Sequence, residues 1–173
     1  MENNITKFQK ELINQLNSKN DLQILSTIDL LREEGGDFII LPLMEKYFNT
    51  SSQEIKDKIG NLFTDIKKSS AGTIISDNIL KYENTNNLDI FLRLLWESTI
   101  KFSNLSPFIE FLFSENLKIS IESSTIIEEQ IKNTAEEDKK NYLKIIEKRK
   151  HKIEDVFHKN LIELTEELIR NSI

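Results

Sequence analysis

Apolar residues recur along this chain at the three- and four-residue spacings of helix faces, and polar clusters separate each such stretch from the next. Ile5, Phe8, Leu12, Ile13 and Leu16 make a first stripe, closed by residues 17–20. Asp21 is placed to cap a second helix, whose Leu22, Ile24, Leu25, Ile28 and Leu31 run on until Gly35-Gly36 stops it. Asp37 opens a partner over 38–48, where Pro42 requires either a start near Leu41 or a kink. Ser51-Ser52, with Glu54 available for a capping interaction, begins a helix carrying Ile55, Ile59, Leu62, Phe63 and Ile66. A turn over 69–72 leads to a returning helix with Ile74, Ile75, Ile79, Leu80 and Tyr82. After the polar run 84–87 come Ile90, Phe91, Leu94, Leu95 and Ile100, then Ser106 as a cap and Pro107 at the first helical position ahead of Phe108, Ile109, Leu112 and Phe113. Residues 117–131 make a further helix. Residues 135–173 read as one or two long charged helices with Leu143, Ile146, Ile153, Phe157, Leu161, Leu164 and Leu168 on one face.

One part of this pattern returns 35 positions later: Ile39, Ile40, Lys46 and Tyr47 reappear as Ile74, Ile75, Lys81 and Tyr82. Phe108, Ile109 and Leu112 continue the series more loosely. A period of this length, made of helical pieces, predicts a solenoid in which each pair buries its apolar face only against its neighbours. The expected core is Ile24, Ile28, Leu31, Ile40, Ile59, Phe63, Ile75, Ile79, Leu94 and Ile109. Residues 1–134 are expected to form the array with its N-terminal capping helix, and 135–173 a charged segment packed on it or extending from it. In the second case its spacing would also suit a coiled-coil seam with another chain.

The helix-turn-helix units over 21–131 resemble HEAT repeats, and the resemblance implies an all-α, short HEAT-like solenoid of stacked antiparallel helix pairs with a helical cap. The runs Leu95-Trp96-Glu97-Ser98, Phe108-Ile109-Glu110-Phe111 and Ile121-Glu122-Ser123-Ser124-Thr125-Ile126-Ile127 are similar to a small group of HEAT-like proteins of Bacteroidetes bacteria. In that group a Cys often stands before the Trp and an Ala-Phe at the place of Ser123-Ser124. The group brings no activity and no catalytic residues.

Composition supports the helical reading, with four glycines and two prolines among 173 residues. The absence of cysteine fits a reducing compartment, and the N-terminus has no cationic stretch followed by an apolar run, so a cytoplasmic protein without a membrane span is expected. A formal charge of −6 argues against general binding of nucleic acid. The exception is a basic tract, Lys139, Lys140, Lys144, Lys148, Arg149, Lys150 and Lys152, against which stands Glu147 alone. It reads first as a solvated helix face, and otherwise as a strip for docking an acidic partner or a phosphate backbone.

Local motifs add no chemistry. Gly35-Gly36-Asp37-Phe38 shares part of the diguanylate cyclase signature, but a helix stop followed by a cap accounts for each of its residues. His151 and His158 lie seven apart, too far for ligands on one helix, and are expected in solvent. Trp96 is expected in the core. With no catalytic residue, cofactor or metal ligand to assign, the expectation is a non-enzymatic interaction or scaffold module for a protein or peptide. The alternative is a role linked to nucleic acid, as a HEAT-like DNA glycosylase or as a binder through 139–152.

Overall fold

The computed structural model describes residues 5–66 and 70–173, in which every regular element is helical. Ten α-helices occupy these residues: α1 Lys7–Gln15, α2 Asp21–Glu34, α3 Ile40–Asn49, α4 Gln53–Asp65, α5 Ala71–Asn78, α6 Leu88–Glu97, α7 Ser106–Phe111, α8 Leu117–Gln130, α9 Glu136–Arg149 and α10 Val156–Arg170. Residues 67–69, and with them part of the expected turn 69–72, lie outside the described residues. No helix among the described residues is long and apolar enough to cross a membrane.

The helix ends follow local chemistry, with several shifts from the expected positions. Thr6 and Gln9 form a reciprocal capping box at α1. Asn20 caps α2, one residue before the Asp21 read as the cap, because its Oδ1 accepts the Leu22 and Gln23 amides. Gly35 and Gly36 end the helix at φ of 60° and 107°, a region that glycine enters without steric cost. Asp37–Ile39 is then a 3-10 turn, and Asp37 accepts a hydrogen bond from Ser70 instead of capping a helix. Pro42 falls in the first turn of α3, where its missing N–H has no intrahelical partner to lose, so neither a late start nor a kink is needed. Ser52 precedes α4, and its side chain makes no capping bond. Ser106 is the first residue of α7 rather than its cap, which places Pro107 second.

Contacts between helices run in two series. In one, α2 packs on α4, α4 on α6, α6 on α8 and α8 on α10; in the other, α3 packs on α5, α5 on α7 and α7 on α9. The recurring Ile40 and Ile75 are both buried, and the recurring Tyr82 stacks on Phe48, the neighbour of its counterpart Tyr47, at 4.2 Å. Phe63 and Tyr47 pack on Phe91 from the neighbouring helices, forming an aromatic cluster inside the first half. Of the ten expected core residues all are buried except Leu94, which is half-buried against Gly60 of α4.

Gly72 marks the tightest approach, because a Cβ there would lie 1.9 Å from the Lys101 carbonyl oxygen. The loop after α6 thus crosses directly over the start of α5. Tyr142 of α9 reaches back to the same region, accepting the Leu105 amide at 3.0 Å.

The expected C-terminal face needs correction. Residues 135–173 form two helices separated by a 3-10 turn, Lys150–Lys152, and an extended step to Asp155. Leu143 and Ile146 of α9 are buried as expected, but α10 buries His158, Ile162, Thr165 and Ile169. Phe157 and Leu164, expected inside if the segment packs on the array, are 59% and 65% exposed. The helical period is right and the phase is wrong by one residue, about 100° of rotation. A histidine and a threonine stand in the true buried stripe and hid it.

Candidate functional site

Three buried polar clusters and one open groove are the places where this fold could act on something else. The first cluster joins α8 to α10. His158, read from the sequence as solvent-exposed, is buried, with Nε2 2.6 Å from the Leu112 carbonyl and 3.0 Å from Ser120 Oγ. It shares no helix face with His151, which sits exposed in the 3-10 turn.

A serine hydroxyl 3.0 Å from an imidazole nitrogen has the spacing of a nucleophile and its base. The hydrogen bonding rules this role out. A carbonyl oxygen only accepts, so Nε2 carries the proton and donates it to Leu112, leaving no lone pair toward Ser120. Ser120 is fully buried, and its hydroxyl lies 2.8 Å from that same carbonyl and 3.2 Å from Phe111 O. Both side chains therefore satisfy the last carbonyls of the short helix α7, which has no glycine cap of its own.

Glu122 of α8 is the second cluster. Its carboxylate is buried, accepts Arg93 Nε at 3.1 Å and Nη2 at 2.6 Å on one oxygen, and accepts Trp96 Nε1 at 2.7 Å on the other. Trp96 is accordingly half-buried on the core with its polar tip turned to α8. The side-chain hydrogen bond and charge of Glu122 push the Arg93 guanidinium above its ordinary value.

Glu166 of α10 is the third. Burial alone would raise its pKa, but hydrogen bonds from Lys150 and Arg170, together with their charges, outweigh that and hold it below the usual carboxylate value. Arg170 also pairs with Glu147. Elsewhere, burial, helped by Asp57 and Asp89, pushes Tyr47 up to about 12, so its phenol stays protonated at neutral pH. Among the described residues no three His, Asp or Glu side chains are grouped as a metal site would require.

The basic tract is divided by these contacts. Lys139 is buried and donates to Ser172 O at 2.8 Å, Lys140 pairs with Glu136 at 2.6 Å, and Lys150 belongs to Glu166. Arg149 pairs with Glu110 and lies over the Phe113 ring, 4.2 Å from its centroid. Lys144, Lys148 and Lys152 stay exposed, with no ion pair among the described residues. The helical spacing of 144 and 148 puts these two on one side of α9.

The open groove lies between the C-terminal halves of α8 and α10 and encloses about 650 Å³. Ile131, Leu164 and Leu168 line it together with Glu128, Lys132 and Glu167. A smaller, polar hollow of about 480 Å³ near the 83–86 loop contains Glu83, Glu110, Glu115 and Arg149, whose guanidinium is already held by Glu110. Sequence reading missed the three clusters, because each depends on a contact 16 to 46 residues long, Lys150 to Glu166, Trp96 to Glu122 and His158 to Leu112; the one local signal was the i,i+4 pair Glu166 and Arg170. Of the groove's lining, that reading places Leu164 and Leu168 on the apolar face expected to cover the stack or to pair with another chain. No family model, curated protein or solved structure matches this chain.

Proposed function

We propose that this chain is a short HEAT-like solenoid acting as a non-enzymatic interaction module for a protein or peptide in the cytoplasm. Its two contact series support the solenoid, with the first helix of each pair stacked on the next first helix and the second on the next second. The observation that carries the functional reading is the state of the buried polar groups. Each of the three clusters with the residue types of catalysis has its hydrogen-bonding capacity turned inward, tying one helix to another. What remains available is surface. The divided basic tract supports a protein partner over a phosphate backbone, since four of its seven cations are engaged within the molecule. The lack of cysteine supports a reducing compartment.

The test is capture of partners from native lysate on the immobilised protein, followed by titration of the identified partner in purified form. Saturable one-to-one binding is expected. A specific turnover by the purified protein would overturn the reading, as would binding to a nucleic-acid fragment that weakens steeply with salt.

A further inference from the structure

We propose that the groove between α8 and α10 is the docking site for a basic amphipathic helix of another protein; this rests on the interaction-module reading and gives it a place and a partner chemistry. The groove's apolar lining is Ile131, Leu164 and Leu168, and on α10 an apolar stripe continues from it toward the start of the helix as Leu161 and Phe157, the four residues from 157 to 168 spaced by four, three and four. The stripe spans roughly 16 Å, about three helical turns. This stripe lies beside the buried face of α10, leaving Phe157 and Leu164 largely in water. A partner helix set along it would bury residues at its own i, i+3 and i+4 positions.

The charge of the groove selects the partner. Ser120 meets His158 and Ser124 meets Thr165, so α8 and α10 run in the same direction and bring their C-terminal ends together. Aligned peptide dipoles give both ends partial negative charge. Glu128 and Glu167 line the groove there, and Glu163 stands one turn before Glu167; Lys132 opposes them alone among the lining residues. Cations are already drawn to this end from within, as the buried Lys139 ammonium bonded to Ser172 O shows. A second copy of the chain would face these carboxylates with its own, which costs association. A helix with apolar residues on one side and lysine or arginine beside them matches both features.

The experiment uses two synthetic amphipathic peptides of about four helical turns, one of leucine and lysine, the other of leucine and glutamate. Each is titrated with the intact protein by fluorescence anisotropy. The lysine peptide is expected to bind and the glutamate peptide to stay free. Leu164→Ser, and separately Glu128→Gln with Glu167→Gln, should each weaken binding about tenfold. Leu22→Ser, at a still more exposed leucine on α2, should leave it unchanged, and circular dichroism should be the same for all. Equal binding of both peptides, or indifference to Leu164→Ser, would overturn the proposal. So would a dimer of the intact protein that Leu164→Ser takes apart, since the groove would then belong to a second copy. If the lysine peptide fails while a purified partner binds the Leu164→Ser protein at full strength, the groove assignment falls and the interaction module stands.

Discussion

Helices α2 to α6 bury almost only aliphatic and aromatic side chains between them, whereas α8 to α10 add histidine, serine, threonine and charged pairs to a buried aliphatic face that includes Ile126, Ile127, Ile162 and Ile169. Of the eleven buried polar or charged residues described, nine lie between Ser120 and Glu166. In the first region Phe63, Phe91, Tyr47 and Phe48 interlock around an apolar centre, and among its described residues the buried polar or charged ones are Thr27 and Ser76. In the second, Ser123, Gln130 and Thr134 each bury an oxygen that has no hydrogen-bond partner among the described residues. Apolar burial is non-directional, whereas a buried hydrogen bond holds only over a narrow range of distance and angle. The first region therefore rests on apolar burial, and the second adds directional contacts that fix the orientation of the last helix pair.

The strongest way to break this division is Phe63→Ala. Phe63 is fully buried against Phe91, so the loss should be about 3–5 kcal/mol, read from urea denaturation, and a near-neutral result would contradict an apolar, close-packed first region.

A middle-sized effect belongs to Glu166. Replacing it by Ala should cost about 1–3 kcal/mol at neutral pH, since Lys150 and Arg170 lose their acceptor but can regain water. Because the folded protein holds its pKa below the ordinary carboxylate value, Glu166 stabilises fully above that value. The contribution is lost as pH falls through the lowered one. Glu166→Gln should accordingly flatten the acid side of the stability profile, and an unchanged acid limb would show that the cluster contributes nothing.

Arg32 and Asp65 link α2 to α4 at 3.3 Å, with side chains 46% and 64% exposed. An ion pair so open to solvent should matter little, so Arg32→Ala should shift stability by less than about 1 kcal/mol. A larger loss would mean that the first region also depends on its polar contacts.

The same division explains what could be read from the chain. In the first region, apolar residues alone mark the buried face, so Ile24, Ile28, Ile59 and Ile75 were found by spacing. In α10 two of the four buried stripe positions are His158 and Thr165, and the hydrophobic pattern instead selected Phe157 and Leu164 on the adjoining face. What buries His158 is the Leu112 carbonyl 46 residues earlier, a contact with no local trace. The helix stop at Gly35-Gly36 was legible because left-handed backbone asks for glycine; the close approach at Gly72 was not, because its cause is the distant Lys101 carbonyl.

Amide hydrogen exchange on the intact protein tests the division most directly, followed segment by segment at neutral pH and again below the ordinary carboxylate range. The account predicts that the amides of α10 lose protection first on acidification, while those of α4 and α6 keep theirs, and that Glu166→Gln removes most of this difference. Protection lost equally in α4, α6 and α10 would contradict it.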